Sequence, residues 1–452
     1  MPIKLVTYSL NAQTMTRIAL LFTSLLLALP GYAEFEAELK AAAEDVSAKV
    51  IAWRRDIHAN PELSNREFRT AALVAEHLLD LKIEVQTGVA HTGVVGVLRG
   101  GKPGPVVALR ADMDALPVVE QTGLPYASTV KGEYEGTEVG VMHACGHDNH
   151  VAILMGVAEV LAGIRERIPG TVKFIFQPAE EGAPKGEDGG ARMMIAEGAL
   201  KNPDVDAIFG LHIGQQGGAG TASFRDRGFM ASAQRFDVII RGQQTHGARP
   251  WAGVDPIVVG AQIVNALQTI VSRQVDITRA PAVVTVGSFH AGIRNNIVPD
   301  RATLSGTIRT FDPQTRIKIH ERVHRIATAI GQSQGADVTV EIDPGVPVTY
   351  NDPRLTADMV PTLRKVYGID RVFVSGRVTG AEDFAFYQQE VPGFFFYIGA
   401  RPPEIPPHQA IPNHSPHFYV DEDALAPGVR AMSQLAMDYL VQYGAASSVE
   451  SR

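Results

Sequence analysis

Apolar positions along the chain follow two different periods. Short, mostly apolar runs at 94–98, 106–109, 172–176, 207–211 and 394–400 read as strands buried on both faces. Between and around them, apolar residues recur at helical spacing over 37–60, 67–81, the stretch after His150, 352–367 and 425–443. Strands alternating with helices predict an α/β unit: a largely parallel sheet covered by helices, with its chemistry beyond the strand ends.

From about Gly228 the pattern changes. Strands at 236–241, 282–289, 302–310 and 337–342 and helices at 256–273 and 313–331 fall in the order β-α-β-β-α-β, the signature of a ferredoxin-like α+β domain. It is expected as an insertion over 228–345, dividing a catalytic domain made of 34–227 and 346–452. The 452 residues are enough for two such cores, and no internal repeat stands out.

Near the N-terminus the apolar run IALLFTSLLLALPGYA follows Arg17 and ends in small residues around Gly31 and Ala33. It has signal-peptide length and falls short of the ~20 apolar residues that span a bilayer. The expectation is a secretory signal over 1–33, a periplasmic or secreted protein, and no membrane anchor after cleavage. Met15 is a more typical signal start than Met1. The 41 basic and 49 acidic residues give a formal charge of -8 without long runs of one sign, so nothing points to nucleic acid. A small-molecule partner is expected.

Cys145 is the only cysteine, so no internal disulfide can form. It sits in GVMHACGHDNHVAIL, where His143, His147 and His150 crowd around it ahead of a helix. A soft sulfur and an imidazole on a tight turn suit Zn, Mn, Co or Ni better than Ca or Mg. Further polar candidates follow the other buried runs: Asp112 and Asp114 after 106–109, Glu180 and Glu181 after 172–176, His212 after 207–211, and His414 in NHSPHF. Each alone is unremarkable, but their shared placement at strand ends or Gly-flanked turns points to one site. Adjacent carboxylates can divide labour, one ligating a metal while the other manages a proton.

In order along the chain, RADMDALP, MHACGHDNH, QPAEEG, FGLHIG, THGARPWAGVDP, NNIVPD, GTIRTFD, GAEDFAFY and NHSPHF resemble the metallopeptidase M20 family, in its amidohydrolase branch acting on N-acyl amino acids, hippurate and indole-acetyl-amino acids. The resemblance implies two divalent metal ions per subunit held by Cys145, His147, Glu181, His212 and His414, with Glu180 as general base and acid. It implies an orienting role for Asp114 and leaves Asp112 open, because relatives outside this branch often ligate from that place with a histidine. It also implies that the inserted domain is a lid and homodimer surface, that His246 reaches the partner's site to stabilise the oxyanion, and that Asn295, Asn296 and Arg309 hold substrate polar groups. Gly380 and its loop would line the acyl or leaving-group pocket. His143, His150 and His417 are read as support, and Trp251 departs from the histidine often seen there.

The activity so implied is metal-dependent cleavage of the amide of an N-acyl or N-aroyl amino acid. A metallo-carboxypeptidase or dipeptidase on the same scaffold differs in what the acyl pocket accepts. A non-catalytic binding protein would have no use for a complete set of metal-site residues.

Overall fold

The computed structural model describes residues 29–450. The signal expected over 1–33 lies, as far as residue 28, outside them; from Leu29 the chain is helical. No helix among the described residues is long and apolar enough to cross a membrane.

The large sheet has eight strands in the order Glu84–Val89, Gly93–Arg99, Pro169–Gln177, Lys102–Asp112, Ala207–Gly218, Gly393–Arg401, Ala222–Phe224, Val372–Val374. The four strands from Pro169–Gln177 to Gly393–Arg401 run parallel. They are the short apolar runs of the sequence: Val172–Gln177 and Ala207–Gln215 are buried at every position, Lys173 and His212 included, as strands sandwiched by helices are. Antiparallel pairs close one flank; on the other Ala222–Phe224 joins antiparallel and Val372–Val374 lies parallel to it. The helix His147–Gly163 connects Lys102–Asp112 with its parallel neighbour Pro169–Gln177. It is buried from His147 to Ala158 and packs between the sheet and the helices Ser47–Ala59 and Leu425–Glu450, which is why its sequence is apolar around the whole circumference.

The chain leaves this body through the strand Arg227–Met230 and returns through Thr349–Asn351, which pair antiparallel. Between them a four-stranded antiparallel sheet has the order Ala282–Ala291, Arg301–Thr310, Gln234–Arg241, Asp337–Ile342. Phe236, Val238 and Ile240 alternate inward and form a separate core with Ile263, Leu304 and Val323. Strand order and connections are those of a ferredoxin-like unit.

Several expected elements differ in detail. The helix expected at 37–60 is two, Leu29–Asp45 and Ser47–Ala59, joined at Val46. The one expected at 256–273 ends at Thr269 and continues as a wider turn, Ile270–Gln274. The edge strand Glu84–Val89 and the hairpin Lys131–Tyr134 with Thr137–Gly140 were not anticipated; both are mostly exposed and lack an apolar rhythm. The strand expected to stop at Leu211 runs on to Gly218, so His212 lies within it, opposite Tyr397. Its pairing with Lys102–Asp112 ends at Gly210, and His212 follows where that neighbour no longer follows it.

Candidate metal centre

The turn before the buried helix is set by Gly146, whose φ of 95° is left-handed and whose missing side chain leaves room for Ile213, 2.6 Å from where a Cβ would stand. Behind it Asp148 accepts from Arg54 Nε at 2.9 Å and lies 2.8 Å from His58 Nδ1. Burial alone would raise the Asp148 carboxyl pKa, but Arg54 and His58 hold it below the ordinary carboxylate range. Asn413 Nδ2 donates to the carbonyls of Cys145 and Ile213, and His414 N to that of Ala144. The NHSP loop is thereby strapped onto the cysteine turn.

Asp114 organises the other side. It accepts from Ser64 Oγ at 2.8 Å and from the backbone N–H groups of Glu180 and Glu181 at 3.1 and 3.0 Å. Just before that pair, Ala179 takes a left-handed φ of 52°, and its N–H donates to Glu67 at 2.9 Å. The paired carboxylates therefore sit on a bent turn and each offers an oxygen to a group with His147 whose atoms all lie within 4.8 Å.

His147 Nδ1 lies 2.8 Å from the Asp114 carbonyl and 3.2 Å from its carboxylate, so this nitrogen carries the proton. His212 Nδ1 likewise faces the Ile213 carbonyl at 2.8 Å. In both rings Nε2 is the nitrogen left to face a Lewis acid, which at His147 would displace a proton. His212 Nε2 is 3.4 Å and His414 Nε2 3.3 Å from Cys145 Sγ, and His414 Nε2 is 2.9 Å from Glu181 Oε1. Two donor sets share the sulfur: Cys145, His147 and His212, and Cys145, Glu181 and His414.

These residues fit divalent cations. His147 Nε2 is buried without a hydrogen-bond partner, an arrangement that costs about 1–3 kcal/mol unless an acceptor of its lone pair is supplied. Burial, Glu181 and Glu180 push the Cys145 thiol well above its ordinary pKa, and a coordinated cation is what makes a thiolate stable among carboxylates. Burial and the charges of Glu382, Glu181 and Asp383 raise the Glu180 carboxyl well above the usual range. Burial opposes charge on His147, yet Asp112 and Asp114 raise its pKa to about 10.

Other candidates sort by geometry. Asp112 is engaged by Arg110 at 2.6 Å and His150 Nδ1 at 2.5 Å, and His150 Nε2 accepts from Ile213 N–H at 2.9 Å. Both therefore act as braces. His143 is fully buried with neither nitrogen hydrogen-bonded, and His417 is exposed with Nδ1 3.0 Å from the Gln121 carbonyl. Arg309 and Gly380 line the same cavity of about 700 Å³ as Cys145, Glu180 and His212. His246, Asn295 and Asn296 do not: they are exposed on the inserted domain, where Thr245–His246 pairs with Ile297–Val298 and Gly247 N–H donates to the Asn296 carbonyl. Trp251 is exposed nearby.

Functional residues not singled out from sequence are Arg110, Glu382 and Asp383. Arg110, wholly buried, reaches Glu382 at 3.0 Å and Asp383 at 2.9 Å as well as Asp112. Nothing local to RADMD or GAEDF marks these charges as buried, because Arg110 meets Glu382 and Asp383 only across the fold.

A doubly covered parallel sheet carrying this mixed sulfur, nitrogen and oxygen centre beside a trapped carboxyl defines a hydrolase with divalent metal ions. A sequence model described as Peptidase family M20/M25/M40 matches residues 108–438, and the chain belongs to that family. It is 41% identical over 404 residues to thermostable carboxypeptidase 2 of Saccharolobus solfataricus, covering 89% of this chain and 98% of that protein. It is 37% identical over 391 residues to N-acetylcysteine deacetylase of Bacillus subtilis, covering 86% and 96%. Among solved structures, the Bacillus subtilis YXEP protein, a dinuclear metal binding peptidase from the M20 family, aligns with a TM-score of 0.73 at 35% identity over 88% of this chain and 99% of that one.

Asp114→Asn keeps the volume but weakens the hold on His147 and on the 180–181 turn. It should lower metal affinity by about 10–100-fold, read by titrating chelator against bound metal, with the secondary structure unchanged.

Proposed function

We propose that this protein is an exported, homodimeric amidohydrolase with two divalent ions per subunit, cleaving the amide of an N-acyl or N-aroyl amino acid to a carboxylic acid and a free amino acid. What carries this reading is one cavity lined by Cys145, Glu181, His212 and His414 together with Glu180 and the guanidinium of Arg309. Cys145, His147, Glu181, His212 and His414 would hold the ions. Bound there, divalent metal supplies Lewis acidity for the amide carbonyl and acidifies water.

The chain's residues do the rest. Glu180, surrounded by carboxylates that disfavour its ionised form, takes the proton of the attacking water and returns it to the leaving nitrogen. Arg309 presents a planar fork to the free carboxylate of the amino acid. His246 is exposed and away from its own subunit's cavity, which supports its service to the partner's site, where it would stabilise the tetrahedral oxyanion. On this reading the inserted domain is both lid and dimer surface, with exposed Trp251, Ile257, Val258 and Ile293 available to it. Asn295 and Asn296, exposed on the same domain as His246, would approach substrate polar groups from there. The mixed donor set suits Mn, Zn, Co or Ni, and the apolar run ahead of Ala33 supports export.

A carboxypeptidase or dipeptidase activity is the second reading, favoured by the name of the Saccharolobus relative. Turnover of N-acetyl amino acids and hippurate but not dipeptides supports the first reading, and the reverse supports the second.

Glu180→Gln should lower kcat by about 10²–10⁴-fold with metal content unchanged by elemental analysis; near-normal turnover would remove Glu180 as the base. Mixing His246→Ala and Glu180→Gln subunits, each inactive alone, should restore activity through hybrid dimers, with about a quarter of all sites intact at equal mixing. No recovery under conditions of subunit exchange would mean that His246 serves its own site or none.

A further inference from the structure

Beside the metal-site cavity lies a second one, also about 700 Å³. The two share Gln216, Val378, Thr379 and Tyr397 as a common wall. Tyr397 also stacks on His212, with ring centroids 5.0 Å apart, so the second space adjoins the metal site.

The charge changes sign across that wall. The first cavity is lined by Glu180, Glu181, Glu382 and Asp383. The second has no acidic lining residue; it has Arg377 and Arg401 set among glycines and the apolar Phe373 and Ile398. Arg401 Nη1 donates to the Ile405 carbonyl at 2.7 Å, while its Nε is buried with no partner. Its Nη2 stands 3.7 Å from where a Cβ on Gly218 would be. Arg377 lies with its guanidinium carbon 5.8 Å from the Phe311 ring centroid. Among the described residues neither arginine has a carboxylate partner. Two guanidinium groups without carboxylate partners on one cavity, beside the hydroxyls of Thr221, Ser223 and Ser375, suit an anionic acceptor.

Arg309 already supplies a cation for the amino-acid carboxylate in the first cavity. We infer that the second cavity takes the acyl half of the substrate and that this half ends in a carboxylate, so that the preferred substrates are dianionic amides: ω-carboxyacyl amino acids. The inference rests on the amidohydrolase reading above. The apolar walls would hold the methylene chain and the two arginines its terminal carboxylate, in a volume typical of small-molecule sites.

The test compares N-glutaryl-alanine with N-pentanoyl-alanine, whose acyl half has equal chain length but no charge, and N-acetyl-glutamate with N-acetyl-alanine, using metal-loaded enzyme. The glutaryl compound should have the higher kcat/KM, by about tenfold or more for a desolvated charge-assisted contact. Arg377→Gln and Arg401→Gln should each bring that ratio toward one, mainly through the KM of the glutaryl substrate; Arg377 is exposed, so its variant serves if loss of Arg401 disturbs the 401–405 turn. Gly218→Leu, whose Cβ has room, should depress both long acyl substrates relative to N-acetyl-alanine. A ratio near one in the wild type, a ratio untouched by both arginine variants, or an acid preference confined to N-acetyl-glutamate would overturn the assignment.

If no N-acyl amino acid is turned over, the amidohydrolase reading fails instead. The cavity is then judged by calorimetry with glutarate and pentanoate. Tighter glutarate binding that either arginine variant abolishes supports an anion site, and equal binding overturns it.

Discussion

The site depends on one buried carboxylate. Asp114 is engaged by a serine hydroxyl, two consecutive backbone N–H groups and an imidazole, and these four contacts come from three separate segments of the chain. A fully buried aspartate is costly unless it is saturated with donors. Here the need for saturation fixes the 180–181 turn and the tautomer of His147 at once. Hydrogen bonding to His147 and to the Glu181 N–H outweighs burial and lowers the Asp114 pKa, so the acceptor remains ionised and the geometry persists.

A second constraint lies one layer deeper. Arg110 is buried among Asp112, Glu382 and Asp383. It provides positive charge without which so many carboxylates could not be enclosed. Burial raises the Glu382 carboxyl to about 7 and that of Asp383 to about 6 even with Arg110 beside them, so the floor of the cavity is short of positive charge and suited to cations. The neighbouring cavity has the opposite bias. On the proposed reading, such a division would let one substrate meet metal at its reacting bond and arginine at its ends.

Much of this was legible in the sequence. The parallel sheet and the ferredoxin-like unit followed from short apolar runs, helical spacing and the order in which they come, because strands buried on both faces leave apolar runs while helices leave a 3.6-residue recurrence. The convergence of Cys145, His147, Glu181, His212 and His414 followed from their positions after those runs and from the motif resemblance. Edge elements such as Glu84–Val89 stayed hidden because an exposed strand has no apolar signature. Arg110 stayed hidden because nothing local marks an arginine as buried; its partners are 2 and about 270 residues away. His212 was placed at a strand end, whereas the strand continues and only its neighbour's pairing stops. The unpaired Nε of Arg401 is a property of packing alone.

Binding of divalent metal by the lone cysteine and the imidazoles around it, as one centre, is open to X-ray absorption spectroscopy of the metal-loaded protein. A sulfur scatterer is expected at about 2.3 Å together with nitrogen and oxygen at about 2.0–2.2 Å for zinc, with the sulfur contribution lost in Cys145→Ser. A first shell of nitrogen and oxygen alone in the wild type would contradict such a centre.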